Sequence, residues 1–167
     1  MEHPLTFSER QFSLTHISHL VGILLLLGLH RGIPDWFVVC GITYIITTAT
    51  WGNYVTVAEW DSLVAYTGVE NHQSIATMNT VCHIVIPAAL LAGISLRTPI
   101  LYTTPATCVL SGLFVLSFSS LYLLLFTRGV VFSYGLRENH KKRNFYWISS
   151  TATWFILAVV GSLMVVA

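Results

Sequence analysis

Five histidines lie within or at the edges of long apolar stretches of this chain, where an imidazole needs a hydrogen-bond partner or a metal. They are His16, His19, His30, His72 and His83. His19 and His30 are eleven residues apart, as are His72 and His83, and eleven residues return a helix to nearly the same face. Because histidine is a common ligand of haem iron, one interpretation is a haem b held between His19 and His83. The other is that these are hydrogen-bonded structural histidines.

A proline close to His83 gives this region a second unusual feature. Pro87 lacks the N–H that would bond the carbonyl of residue 83, so we expect the helix to kink there. Asn79 lies one turn earlier on the same face. Together these groups predict a polar locus near the middle of the stretch, suited to a polar group, a water or a headgroup. The alternative is that a threonine of the preceding stretch satisfies it.

Hydroxyl groups recur along one face of the second apolar stretch. Thr43, Thr47, Thr50 and Tyr54 follow each other at helical spacing. Such a stripe is predicted to face protein, because lipid offers a hydroxyl no partner. The hydroxyls either bond to carbonyls one turn earlier or reach a neighbouring helix.

A third group of chemically useful residues lies at the ends of the first two stretches. Arg10, Ser13 and His16 lie near the start of the first, and Glu59 and Trp60 follow the second. Antiparallel neighbouring helices would bring them to the same membrane face. They would offer donors and a carboxylate to a lipophilic ligand that carries carbonyls, such as a quinone. The alternative is an ordinary polar rim at headgroup depth.

The elements that must position these residues are predicted to be helices that cross a membrane. Five stretches contain no Asp, Glu, Lys or Arg, and each has 20 residues or more, enough for a hydrocarbon core of about 30 Å. The predicted spans cover about 12–30, 36–58, 72–96, 103–127 and 145–166, with interfacial segments at 59–70 and 128–143. The sequence thus predicts an all-α, polytopic transmembrane helix bundle of five spans, and a single membrane domain over residues 1–167.

Composition narrows the classes of function. The chain is 54% hydrophobic and 9% charged, far from the balance of a soluble domain. A net charge of +1 gives no field to attract nucleic acid, so no nucleic-acid partner is expected. The three cysteines have no CxxC spacing, and no metal site is expected. Without a phosphate loop, a zinc-protease motif or an intramembrane acidic pair, no catalytic residue is assigned.

Two short motifs resemble the membrane anchor subunits of succinate dehydrogenase. That family opens its first span with Ser-x-x-His, and this chain has the same pattern at residues 13–16. The smaller anchor has Trp-Gly followed after six residues by Asp-Tyr, where this chain has Trp51-Gly52 and then Glu59-Trp60. Ile17 stands where the family has an arginine.

The resemblance implies a ubiquinone site built from Ser13, Glu59 and Trp60 with His16 beside them, and the mitochondrial inner membrane as the location. Haem is implied less directly, because residues 48–50 are Thr-Ala-Thr where the family has a haem-ligating histidine.

The expected function is a small, non-catalytic membrane subunit of a respiratory-chain oxidoreductase complex. It would resemble a succinate dehydrogenase anchor and contribute to a quinone site. Its expected partners are other membrane subunits and membrane lipids. One alternative is a purely structural accessory subunit without a cofactor. Another is a small transporter or lipid-handling protein that uses the locus formed by Asn79, His83 and Pro87.

Overall fold

The computed structural model describes residues 13–28, 32–67, 72–96, 104–128, 136 and 139–164. Helices account for 92% of the described residues, and none of these residues is in a strand. In chain order the helices are α1 Leu14–Gly28, α2 Asp35–Ala58, α3 Trp60–Thr67, α4 His72–Thr80, α5 Ile86–Ser95, α6 Pro105–Thr127 and α7 His140–Met164. A π-helical turn, Val81–Val85, joins α4 to α5 in one continuous rod. The predicted all-α class is confirmed.

Local sequence explains where two of the helices that carry the site begin. At the start of α6, Thr104 Oγ1 accepts a hydrogen bond from the Thr107 N–H, and Thr107 Oγ1 accepts one from the Thr104 N–H, both at 3.3 Å. Pro105 follows as the first helical residue, where no backbone donor is required. Helix α2 begins after Pro34, and Asp35 places a carboxylate in its first turn, which favours a helix N-terminus.

Helix α2 is the centre of the bundle. It packs against α1, α5, α6 and α7, while α6 packs against α7 and α1 against α5. Twelve of its 24 residues are buried, so its two sides contribute to two separate cores. The core between α2, α6 and α7 contains Cys40, Tyr44, Val115, Trp154 and Ala158. The core between α1, α2 and α5 contains Leu25, Val38, Ile45 and Ile94.

Three helices are long and apolar enough to cross a membrane: His72–Ser95, Pro105–Thr127 and His140–Ser162. Helix α1 is apolar but has 15 described residues, which reach about 22 Å at 1.5 Å per residue. Helix α2 is long enough, but its threonines, asparagine and tyrosines make it less apolar than those three. The outward faces of the bundle are rich in exposed leucine, isoleucine and valine, as expected for helices that contact lipid.

The predicted interfacial segments are partly helical. The segment predicted at 59–70 contains α3, and α7 begins at His140, inside the segment predicted at 128–143. The cations Lys141, Lys142 and Arg143 therefore lie in the first turn of a long helix rather than in a loop. His30 and Arg10 lie outside the described residues.

Candidate functional site

A chain of hydrogen bonds around His83 connects three helices. Thr15 Oγ1 on α1 lies 2.8 Å from His83 Nε2, and Asn79 Oδ1 lies 2.7 Å from His83 Nδ1. Asn79 in turn donates from Nδ2 to Asn53 Oδ1 on α2, at 2.6 Å. We call these four residues the histidine network. Both ring nitrogens of His83 are therefore used within the protein.

Gly52 provides the space in which the His83 ring lies. A Cβ atom at position 52 would collide with His83 Nε2, so only glycine lets the imidazole approach the α2 backbone this closely. The presence of glycine at position 52, in the Trp51-Gly52 motif, is thus explained by the space that the His83 ring needs.

The π-helical turn explains why His19 belongs to the same region. In a π-helix each N–H bonds the carbonyl five residues earlier, as the Ile86 N–H does with the Val81 carbonyl. The next carbonyl, that of Cys82, would need an N–H from residue 87, which is Pro87. His19 supplies the missing donor, because its Nε2 lies 2.9 Å from the Cys82 oxygen.

The structure corrects two details of the predicted polar locus. Because the π turn shifts the hydrogen-bond register by one residue, the Cys82 carbonyl also lacks a donor at position 87, and it bonds to His19. The threonine that bonds His83 comes from α1, as Thr15, and not from the second stretch.

The residues around His19 and His83 do not fit a haem. An iron ligand needs a free ring nitrogen, and both nitrogens of His83 and Nε2 of His19 lie in hydrogen bonds. The geometry is that of structural histidines.

A double-mutant cycle tests the link between His19 and the π turn. We expect His19→Leu to destabilise the protein by about 1–3 kcal/mol, because it leaves the Cys82 carbonyl unpaired. Pro87→Ala restores an N–H at position 87, so the cost of His19→Leu is expected to be smaller in that background. Unfolding of the four proteins in detergent measures the coupling. Equal costs in both backgrounds would refute the explanation.

Of the four residues predicted to hold a quinone, Ser13 and His16 bond to each other, whereas Glu59 and Trp60 bond to other partners. Ser13 Oγ lies 2.9 Å from His16 Nδ1, and Trp60 Nε1 donates to His72 Nδ1 at 3.3 Å. In the described part of the chain, no hydrogen bond joins Ser13 or His16 to Glu59 or Trp60. The quinone site predicted from the sequence therefore does not form as a single hydrogen-bonded cluster.

Glu59 instead joins the end of α2 to the start of α7. Its side chain is 5% exposed. Its Oε2 accepts a hydrogen bond from Lys142 Nζ at 2.7 Å, and its Oε1 accepts one from the Tyr146 hydroxyl at 2.6 Å. Burial raises the pKa of the Glu59 carboxyl, but these two hydrogen bonds and the charge of Lys142 together hold the pKa below its usual value. We call these three residues the Glu59 cluster.

Tyr146 also forms a wall of a cavity between α2, α6 and α7, which we call the aromatic cavity. The cavity has a volume of about 120 Å³ and is partly open. Its aromatic walls include Tyr44, Trp51, Tyr146, Trp147 and Trp154. A closed cavity of about 150 Å³ accommodates benzene, so this space approaches the size of a single ring, and its open side leaves room for ring substituents.

The polar ends of these aromatic walls hydrogen-bond to the protein. Trp51 Nε1 donates to Thr153 Oγ1 and Trp154 Nε1 donates to the Cys40 carbonyl, both at 3.1 Å. The Tyr146 hydroxyl is bound in the Glu59 cluster. The cavity is thus left with aromatic surfaces, which favour stacked or edge-on contacts with another ring.

Thr47 lines this cavity and differs from other threonines of α2. Thr43 donates to the Val39 carbonyl at 2.7 Å, and Thr56 donates to the Gly52 carbonyl at 2.8 Å. Thr47 is 5% exposed, yet within the described ranges its Oγ1 has no hydrogen-bond partner. A buried hydroxyl in this state is rare in proteins.

The predicted hydroxyl stripe is correct for only half of its residues. Thr43 and Thr47 are buried, but Thr50 and Tyr54 are exposed. All four residues share one side of α2. A residue on that side is buried only where a neighbouring helix lies beside it, and the spacing of residues in the sequence does not show where the neighbouring helices lie. No other helix in the described part of this chain covers Thr50 or Tyr54, and Thr50 bonds to the Ile46 carbonyl one turn earlier, which was one of the two predicted alternatives.

No protein-family profile, curated protein or solved structure matches this chain. The candidate site is therefore interpreted from its own residues. The sequence analysis missed the aromatic cavity, whose walls come from segments far apart in the chain. The one signal that pointed to it was the place of Thr47 in the hydroxyl stripe.

Proposed function

We propose that the protein is an integral membrane subunit that binds a lipophilic, ring-bearing ligand of the quinone class in the aromatic cavity. The observation that carries this proposal is a ring-sized cavity whose aromatic walls have their polar ends bonded to the protein. Such a site offers a flat apolar ligand stacking surfaces, and it resembles the concave, mostly apolar sites typical of small-molecule binding.

The proposal includes five membrane spans. Three helices meet the length and apolarity needed. Helix α2 extends about 36 Å over its 24 residues, and its central position covers many of its polar side chains with other helices. Helix α1 belongs to an uncharged stretch of 20 residues, enough for the remaining span.

In this proposal Glu59 contributes to the ligand site indirectly. It holds the Tyr146 hydroxyl, and Tyr146 is a cavity wall. Ser13, His16 and Trp60 are not needed as ligand contacts. The assignment to a respiratory complex in the mitochondrial inner membrane is supported by the motif resemblance to succinate dehydrogenase anchors. The exposed apolar faces would meet lipid and other membrane subunits.

A structural accessory subunit is the second candidate. The histidine network favours it, because this network joins α1, α2 and α4 and uses both nitrogens of His83 within the protein. The transporter alternative has less support for the same reason, since Asn79 and His83 bond to the protein.

A binding titration tests the proposed function. In lipid nanodiscs, decylubiquinone is expected to quench tryptophan fluorescence saturably, because Trp51, Trp147 and Trp154 line the cavity. Ser150→Leu places a larger side chain in the cavity and is expected to weaken binding about tenfold, equivalent to about 1.4 kcal/mol. Ser120→Leu, at an exposed position on α6, is the matched control. Equal affinities of the two variants would contradict ring binding and favour the structural subunit.

A further inference from the structure

We infer that Thr47 is the residue with which the aromatic cavity recognises its ligand, by donating a hydrogen bond to a carbonyl oxygen on the ring. The inference rests on the proposed function, because it requires a ring in the cavity. Beyond the proposed function, it identifies Thr47 as the hydrogen-bond donor and a carbonyl as the ligand group that this donor selects.

The Thr47 hydroxyl is buried without a hydrogen-bond partner among the described residues. Thr47 lines the cavity and is 5% exposed. Burying a hydroxyl without a partner is unfavourable. A ligand oxygen that accepts a hydrogen bond from Thr47 would remove that penalty, and its removal would contribute to the free energy of binding.

Three other threonines of the same helix bond to the helix itself. Thr43, Thr50 and Thr56 each donate to the carbonyl four residues earlier, at 2.7–2.9 Å. This is the usual way for a helix to satisfy a threonine. Thr47 departs from it at a position that lines the cavity, so a ligand oxygen would not have to displace a hydrogen bond within the helix.

Thr47 lies deep between α2 and its neighbouring helices. Glu59 contacts Tyr146 near one end of the α2–α7 pair, and the Cys40 carbonyl accepts from Trp154 nearer the other end. Thr47 lies twelve residues from Glu59, about 18 Å along α2. A ligand that reaches it must pass the aromatic walls, which suits an uncharged carbonyl and disfavours an ionised group.

Other occupants of the cavity match Thr47 less well. A lipid acyl chain carries no acceptor and would leave the hydroxyl unpaired. A buried water needs two to four polar partners and would make no use of the aromatic walls, whose indole N–H groups at Trp51 and Trp154 already bond to the protein. A ring that bears a carbonyl can stack on the aromatic walls and accept a hydrogen bond from the Thr47 hydroxyl.

Two probes of similar shape test this inference. Duroquinone and durene are both tetramethylated six-membered rings, but only duroquinone has carbonyl oxygens. We expect the protein in nanodiscs to bind duroquinone about fivefold more tightly than durene, after correction for partition into lipid. Thr47→Val is expected to abolish this preference. Thr47→Ser, which keeps the hydroxyl, and Thr43→Val, which removes a hydroxyl bonded to its own helix, are expected to retain it.

The outcomes separate the inference from the function on which it rests. Saturable binding of both rings with equal affinity, or a preference that survives Thr47→Val, would overturn the role of Thr47 while leaving the ring cavity intact. Absence of saturable binding by either ring would overturn the proposed function.

A ligand-free measurement tests Thr47 independently. Because valine removes an unpaired buried hydroxyl, Thr47→Val is expected to raise the midpoint of thermal unfolding without ligand, whereas Thr43→Val lowers it. A midpoint lowered equally by both substitutions would mean that the Thr47 hydroxyl is already satisfied.

Discussion

Gly52→Ala is expected to lower the free energy of unfolding by about 3 kcal/mol, although alanine is normally a better helix former than glycine. The new methyl group would clash with His83 Nε2. The ring must then move, and it cannot do so without losing its short contacts with Thr15 and Asn79. Reversible unfolding in mixed detergent micelles measures the change.

Gly161→Ala is the matched control for this prediction. A Cβ atom at position 161 would lie 3.6 Å from Val39 Cγ1, an ordinary contact, so its effect is expected to stay within about 1 kcal/mol. The combination of Gly52→Ala with His83→Ala should be no less stable than His83→Ala alone, because the clash is absent. A Gly52→Ala protein as stable as Gly161→Ala would show that the close approach of His83 is wrong.

Glu59→Ala is expected to cost about 2–3 kcal/mol at neutral pH. The substitution removes the acceptor of two short hydrogen bonds that join α2 to α7. The loss of stability is expected to be smaller than for a fully buried ion pair. The Lys142 side chain is 50% exposed, so water can solvate its ammonium group once the carboxylate is removed. Asp61→Ala, which removes an exposed carboxylate two residues later, is the control and is expected to change stability little.

The Glu59 contribution is expected to depend on pH in one direction. Because its pKa is lowered on folding, ionised Glu59 stabilises the fold above the pKa of the unfolded chain. This stabilisation is lost as the pH falls through the lower pKa of the folded state. The stability difference between the unsubstituted protein and Glu59→Ala should therefore shrink below about pH 4.5. A difference that stays constant or grows on acidification would contradict the ion pair.

The features best predicted from sequence are those controlled by nearby residues. Uncharged stretches predicted the helices, and Pro87 predicted a break in helical hydrogen bonding close to where the π turn lies. The form of that break was less predictable. A π turn changes which carbonyl loses its donor, and the partner, His19, lies 63 residues earlier in the chain than Cys82.

Features that depend on packing between distant segments were not predictable. Glu59 meets Lys142 across 83 residues, and nothing in the local sequence distinguishes Lys142 from its neighbour Lys141. The same holds for Thr47 and Thr50, which share a side of α2 but differ in burial because neighbouring helices cover only one of them. The aromatic cavity is a product of such packing.

Photolabelling with an azido-substituted ubiquinone analogue in nanodiscs tests most directly whether the aromatic cavity is a ligand site. The adducts are expected on the cavity-lining segments of α2, α6 and α7, and excess decylubiquinone or the Ser150→Leu substitution is expected to suppress them. Adducts near Ser13 and His16, or spread over outward-facing residues such as Leu113 and Ile156, would contradict the proposed site.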